Sequence, residues 1–177
     1  MKRSRTALIT IAAAAASLVA SPALAAQVAV QDPAGDAANR GLDITRVSVR
    51  NLDHTVVVKV RFVESVRGDL IVSIDPRRAS GVRLVSEHRP GGETRNAVIA
   101  GAFTDRKMPE AANASTCRGF RVTWRTDAPV ARLRMPSRCL HDGDYGAIRF
   151  AVLTERGGDS DYTPETTSGA SRWIPRG

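Results

Sequence analysis

Arginines at alternating positions in the last third of the chain could build an anion-binding surface. Apolar residues such as Val122 and Leu133 lie between them. Alternate residues of a β-strand face opposite sides of its sheet, so the arginines point outward if the apolar residues face the core. If the strands are neighbours, the guanidinium groups share one face that can pair with carboxylates or phosphates. The alternative is a solvated outer face in an arginine-rich protein. The candidate ligand-binding arginines are Arg121, Arg125, Arg132, Arg134 and Arg149.

Aspartates occur in pairs at three predicted loops, and carboxylate oxygens are the ligands that Ca²⁺ prefers. Asp159 and Asp161 are the pair we expect to bind a metal ion if one binds, and calcium is the only cofactor considered. The spacing does not match an EF-hand loop, and Asp beside Gly is also ordinary turn chemistry. Structural turns are therefore the alternative. The other two pairs are Asp32 with Asp36 and Asp142 with Asp144.

The histidines give no catalytic pattern. His54, His88 and His141 fall at predicted turns or strand ends, without a metalloprotease helix pattern or a glycine-framed serine. No catalytic residue is assigned, and we expect a non-enzymatic protein. Because a nucleophile, a base and an orienting group can converge from distant loops, a small secreted hydrolase is the alternative. An inhibitor or partner of another secreted protein is a further one.

The two tryptophans differ in their expected roles. Trp124 has the parity of a core residue, whereas Trp173 lies in a polar tail and could stack on a sugar ring.

The cysteines and the N-terminus both indicate export. Residues 1–25 have the basic start, apolar run and small-residue end of a secretory signal, and cleavage is expected after Ala25. The apolar run is shorter than the ~20 residues that a membrane-spanning helix needs, so no membrane insertion is expected after cleavage. In an oxidising compartment, Cys117 and Cys139 most economically form one disulfide, and a metal pair or a reactive thiol is less favoured.

The remaining residues, 26–177, have the length of one domain and carry a modest positive charge. Removing residues 1–25 lowers the formal net charge from +8 to +5. Of the 26 basic residues only three are lysines, which suits GC-rich codons. The basic composition is therefore not taken as evidence for nucleic-acid binding, and no nucleic-acid partner is expected.

Alternation of apolar and polar residues in short runs predicts an all-β, antiparallel sandwich of the jelly-roll or immunoglobulin-like kind. The clearest strand is 55–63, and a change of parity predicts a β-bulge near Thr45 and Arg46. Strands around Phe120, Leu133 and Phe150 are expected to form a meander. Eight or nine strands are expected, with a polar segment beyond Glu155.

Two segments resemble small uncharacterised exported proteins of high-GC Gram-positive bacteria. The pattern is Cys-x-Gly, a hydrophobic strand, a hairpin and then Pro-x-x-Cys-Leu, found here from Cys117 to Leu140. The opening Asp32-Pro33-Ala34-Gly35-Asp36 and the Leu42-Asp43-Ile44 run belong to the same pattern. The resemblance implies a disulfide-closed β-sandwich, and it assigns no catalytic residues to this sequence. From the export signal and the candidate arginines, we expect a secreted or cell-envelope protein that binds an anionic cell-wall polymer or a polysaccharide, in an oligomeric state that the sequence leaves open.

Overall fold

Strands account for nearly all regular structure in the computed structural model, which describes residues 27–37, 41–105, 114–115, 117–125 and 127–177. The predicted signal, residues 1–25, lies outside the described residues. Two short 3-10 turns, Ser137–Cys139 and His141–Gly143, interrupt the strands near the end. In chain order the strands are β1 (Gln27–Gln31), β2 (Ile44–Leu52), β3 (Thr55–Phe62), β4 (Gly68–Pro76), β5 (Val82–His88), β6 (Arg95–Ala100), β7 (Ala114–Ser115), β8 (Arg121–Arg125), β9 (Val130–Pro136), β10 (Ile148–Arg156) and β11 (Asp159–Thr163).

The strands form two packed antiparallel sheets, so the predicted all-β sandwich is confirmed. The first sheet has the order β1-β2-β3-β9-β8, and the second has the order β11-β10-β4-β5-β6-β7. The chain crosses between the sheets after β3, after β7 and after β9. No helix in the described residues is long and apolar enough to span a bilayer.

The core lies between the sheets and follows the alternation of the sequence. On β3, Val56, Val58 and Val60 are fully buried, while Lys59 and Arg61 lie on the opposite side. The same alternation buries Leu133 of β9 and leaves its neighbours exposed. Because one side of each strand is removed from water, a shift of one residue would expose the whole apolar set, and this fixes the register.

The predicted β-bulge is confirmed. Pairing of β2 with β3 shifts between Ile44 and Arg46, so Ile44 and Val47 both face the core although they are three residues apart. As a result, Arg46 and Arg50 both point outward on the same side as Arg61 of β3.

The predicted disulfide is confirmed, and it joins the ends of two neighbouring strands. Cys117 precedes β8, and Cys139 follows β9 in a 3-10 turn, with Cα atoms 5.4 Å apart. Both cysteines are half-buried against the core. The bridge therefore holds the edge strand β8 against β9, which is compatible with an extracellular protein.

The predicted meander is wrong for its third strand. β8 and β9 pair as expected, but β10 lies in the second sheet between β4 and β11. The polar segment beyond Glu155 also forms a strand, β11, in which Asp161 and Thr163 are buried. Parity predicts which residues of a strand face the core, but does not predict which sheet the strand joins.

Candidate functional site

The outward side of the first sheet carries eight basic residues, and we call this surface the basic face. Arg61 lies directly opposite Arg46, Lys59 opposite Arg132, and Arg121 opposite Arg134. Directly opposed residues in antiparallel strands have Cβ atoms about 4.5–5.5 Å apart. Like charges are therefore neighbours at three places. The members of the basic face are Arg46, Arg50, Lys59, Arg61, Arg121, Arg125, Arg132 and Arg134.

Acidic residues do not compensate this charge within the sheet. The five strands that build the basic face contain no aspartate or glutamate. Within the described residues, Arg125 is the one member with an ion-pair partner, the exposed Asp127 in the following turn. That pair raises the pKa of Arg125 and lowers the pKa of Asp127 through their hydrogen bond.

The second sheet has the opposite balance. Its strands carry six acidic residues and four arginines. If the arginine-rich composition alone set the surface charge, the strands of both sheets would carry a net positive charge. The sandwich is instead polarised, with the positive charge collected on one outer surface.

The centre of the basic face is a shallow groove of ≈ 910 Å³. Arg46 and Arg61 line it from β2 and β3, and Arg125 and Arg132 line it from β8 and β9. Uncharged polar residues such as Thr123 complete the surface. The groove is therefore open, positively charged, and shared by strands that are distant in sequence.

Four of the five predicted arginines lie together on this face. Arg121, Arg125, Arg132 and Arg134 belong to the neighbouring strands β8 and β9, as predicted. The four basic residues of β2 and β3 were not among the candidates, although alternation along the clearest predicted strand already places Lys59 and Arg61 on its outward side.

The prediction that Arg149 shares the basic face is wrong. Arg149 lies on β10 in the second sheet, and its Nε donates a hydrogen bond to Oδ2 of the buried Asp75 at 2.6 Å. Thr104 donates to the same oxygen at 2.5 Å. Arg149 therefore neutralises a buried carboxylate within the second sheet.

Trp173 is not a bare stacking surface. The guanidinium groups of Arg77 and Arg149 each lie 5.0 Å from the centre of its ring, which is half-buried. These contacts are cation–π interactions within the chain. They leave less of the ring available to a sugar than the sequence suggested.

Trp124 joins the two sheets. Its ring stacks on His88 of β5 with 3.9 Å between centroids, and on Phe62 of β3 at 5.4 Å. Its Nε1 donates a hydrogen bond to Ser86 Oγ at 2.9 Å. Trp124 is partly buried and packs against the core, on the side that its parity predicted.

The three histidines occupy different environments. His54 and His141 are exposed, whereas His88 is 4% exposed and lies 3.1 Å from Ser65 Oγ through its Nε2. Burial, followed by the charge of Arg89, lowers the pKa of His88. Its Nδ1 has no partner among the described residues, so no carboxylate orients the ring as a triad requires.

Three carboxylates from distant segments meet beside β11, and we call this group the acidic cluster. Asp32 and Asp36 of the β1–β2 connection and Asp161 of β11 each place an oxygen within 4.8 Å of the others. Burial raises the pKa of Asp161 to about 7, against the opposing effect of a hydrogen bond from the Ile44 amide. Burial also raises the pKa of Asp32.

The structure places only one member of the expected metal pair in the acidic cluster. Asp161 belongs to the acidic cluster, but Oδ2 of Asp159 accepts a hydrogen bond from the Gly41 amide at 2.8 Å. Residues 142 and 144 lie elsewhere, near the second 3-10 turn. The partners of Asp161 are the two aspartates of a loop more than 120 residues earlier, a contact that spacing along the sequence does not reveal.

Comparison with known proteins gives no family. No protein-family model matches the chain, and no curated protein matches it in sequence. The functional argument therefore depends on the residues themselves.

Proposed function

We propose that this protein is an extracellular, non-enzymatic binding protein that holds an anionic cell-wall polymer or polysaccharide on its basic face. One observation carries the proposal. Eight basic and no acidic residues lie on the strands of one sheet, while the strands of the other sheet have an acidic excess. The half-buried disulfide supports an extracellular location.

The charge arrangement is unfavourable for the free protein. Like charges placed directly opposite each other on neighbouring strands destabilise a sheet, by roughly 0.2–1 kcal/mol for each pair. Three such pairs occur here. An anionic ligand would offset this effect, because a negative group placed between two opposed cations attracts both of them.

The size of the basic face favours a polymer over a small anion. Strands lie about 4.8 Å apart, so five strands span ~19 Å across the sheet. The outward positions of one strand, such as Arg46 and Arg50 of β2, add ~14 Å in the other direction at about 3.4 Å per residue. A single phosphate or carboxylate covers a small part of this area, whereas a chain with repeated charges can contact several guanidinium groups.

The basic face carries charge but no aromatic stacking surface, which favours an anionic polymer over a single-stranded nucleic acid or a neutral sugar. None of the outward side chains on β1, β2, β3, β8 or β9 is aromatic. Proteins that bind single-stranded nucleic acids combine a basic groove with aromatic stacking surfaces, and this face has none. Neutral sugars would likewise find no ring to stack on here.

Binding of defined polymers tests the proposal. Affinity would be measured for poly(glycerol phosphate), polygalacturonate, the neutral polysaccharide dextran and duplex DNA. We expect the two anionic wall-type polymers to bind, dextran not to bind, and binding to weaken as salt screens the charges.

A pair of matched variants locates the binding surface. The face variant replaces four groove-lining arginines by glutamine, and the control variant replaces four exposed arginines outside the first sheet, so the change in net charge is equal. Loss of binding in the face variant alone supports the proposal. Equal loss in both, unchanged binding in both, or tighter binding of DNA than of either polymer would overturn it. The face variant is Arg46→Gln, Arg61→Gln, Arg125→Gln and Arg132→Gln, and the control is Arg78→Gln, Arg95→Gln, Arg118→Gln and Arg172→Gln.

A further inference from the structure

The acidic cluster includes a buried hydroxyl that has no partner. Thr163 is fully buried, and its Oγ1 has no hydrogen-bond partner among the described residues. Thr163 and Asp161 are two residues apart on β11, so their side chains lie on the same side of the strand. Burial raises the pKa of Asp32, and the nearby hydroxyl partly offsets that rise, although the two groups form no hydrogen bond of normal geometry.

Burying a polar group without a partner is costly, so its presence needs an explanation. An unsatisfied buried hydroxyl or carboxylate oxygen typically costs about 1–3 kcal/mol. Asp32 Oδ2 is a second orphan atom in the same place. Two oxygen atoms of the cluster therefore lack a hydrogen bond of normal geometry, beside two further carboxylates.

The surrounding backbone holds these oxygens in position. Asp161 Oδ2 accepts a hydrogen bond from the Ile44 amide at 2.6 Å. The loop that carries Asp32 and Asp36 is fixed by Asp43, whose Oδ2 accepts a hydrogen bond from the Gly35 amide at 2.7 Å. Gly35 has φ +91°, a conformation that other residues rarely adopt, and it turns the chain so that both aspartates face β11.

We propose that Asp32, Asp36, Asp161 and Thr163 form a calcium-binding site where the β1–β2 connection meets β11. Ca²⁺ takes six to eight oxygen ligands at 2.3–2.6 Å. Oxygens on opposite sides of the ion are then up to about 5 Å apart, and the carboxylate oxygens here lie within 4.8 Å of one another. Water or second carboxylate oxygens complete the shell.

The site would tie the first strands of the chain to the last one. Asp32 follows β1 at the edge of the first sheet, and β11 is the edge strand of the second sheet. A bound ion would join these edges, as the disulfide joins β8 to β9. This inference is independent of the basic face, because none of the four ligands belongs to it.

Calcium-dependent stability tests the site. The melting temperature of the full chain would be measured after EDTA treatment and again with CaCl₂ or MgCl₂. With Ca²⁺ at 10–100 times its dissociation constant, we expect the melting temperature to rise by roughly 3–11 °C. We expect a dissociation constant of roughly 10⁻⁴–10⁻³ M, the range of extracellular calcium modules.

Two ligand variants and one control make the result specific. Asp36 is exposed and can be replaced without disturbing the core, so Asp36→Asn is expected to weaken Ca²⁺ binding at least roughly 10-fold, as loss of even an outer-sphere partner does. Thr163→Val keeps the shape of the side chain and removes the buried hydroxyl, and it is also expected to weaken Ca²⁺ binding. The exposed control Asp142→Asn is expected to bind as the wild type does.

The outcomes separate clearly. A Ca²⁺-dependent rise that is lost in Asp36→Asn or Thr163→Val and kept in Asp142→Asn supports the site. No rise in the wild type up to 10 mM CaCl₂, about ten times the weakest expected dissociation constant, would overturn it. An equal rise in the wild type and in both ligand variants would also overturn it, and an equal rise with MgCl₂ would overturn the assignment to calcium.

Discussion

Charge reversal at Lys59 should stabilise the protein while weakening its proposed function. Lys59 lies directly opposite Arg132 on β9 and opposite Ser48 on β2. Lys59→Glu turns one repulsive cross-strand pair into an attractive one. Loss of the repulsion and gain of the attraction each add roughly 0.2–1 kcal/mol to the free energy of unfolding. The free energy of unfolding is therefore expected to rise by roughly 0.4–2 kcal/mol. For a chain of this size that corresponds to a rise of roughly 1–8 °C in the melting temperature.

Thermal unfolding at two salt concentrations separates this effect from others. Lys59→Gln removes the repulsion without adding attraction and should give about half the gain of Lys59→Glu. In 1 M NaCl the screening length falls to about 3 Å, so both gains should shrink. Arg78→Glu makes the same charge change outside the basic face and should stay within about ±0.5 kcal/mol of the wild type. An unchanged or lower melting temperature for Lys59→Glu at low salt would refute the view that the basic face is uncompensated.

Two further predictions concern the core and its bridge. Because the pKa of the buried His88 is lowered, this residue binds fewer protons in the folded protein than in the unfolded chain below about pH 6.5, so its own contribution to stability should fall as the pH drops through that value. Denaturant unfolding at pH 8 and at pH 5 should show that acidification lowers the free energy of unfolding less in His88→Gln than in the wild type. An equal change in both proteins would contradict the prediction. Replacing Cys117 and Cys139 by serine should lower the free energy of unfolding by roughly 3 kcal/mol, the loop-closure value for a ring of this length. An unchanged denaturation midpoint would show that the bridge adds no stability.

Local patterns predicted much of the architecture. Alternation located most strands, a change of parity located the β-bulge at Arg46, and the cysteine count located the disulfide. β11 was missed because its buried positions are polar, so the strand has no hydrophobic pattern to detect. The position of β10 was missed because pairing with β4 is a long-range choice that parity along one strand does not encode.

The candidate sites were also predicted only in part, because local patterns do not encode long-range pairing of strands. Arg121 and Arg134 were placed on one face because their strands are joined by a short turn. Arg46 and Arg61 join them only through pairing of β3 with β9, across about 70 residues of sequence. The acidic cluster depends on an even longer contact, between Asp32 and Asp161, and the sequence pairs Asp161 with Asp159 instead.

The most direct test of the central claim is to map where an anionic polymer contacts the protein. Backbone amide chemical shifts of the wild-type protein would be recorded by NMR during titration with short poly(glycerol phosphate) or oligogalacturonate chains. We predict that the shift changes concentrate on β1, β2, β3, β8 and β9, with the largest near the groove lined by Arg46, Arg61 and Arg132. Changes concentrated on the second sheet, or none at polymer concentrations that saturate retention, would contradict the assignment of the basic face as the binding surface.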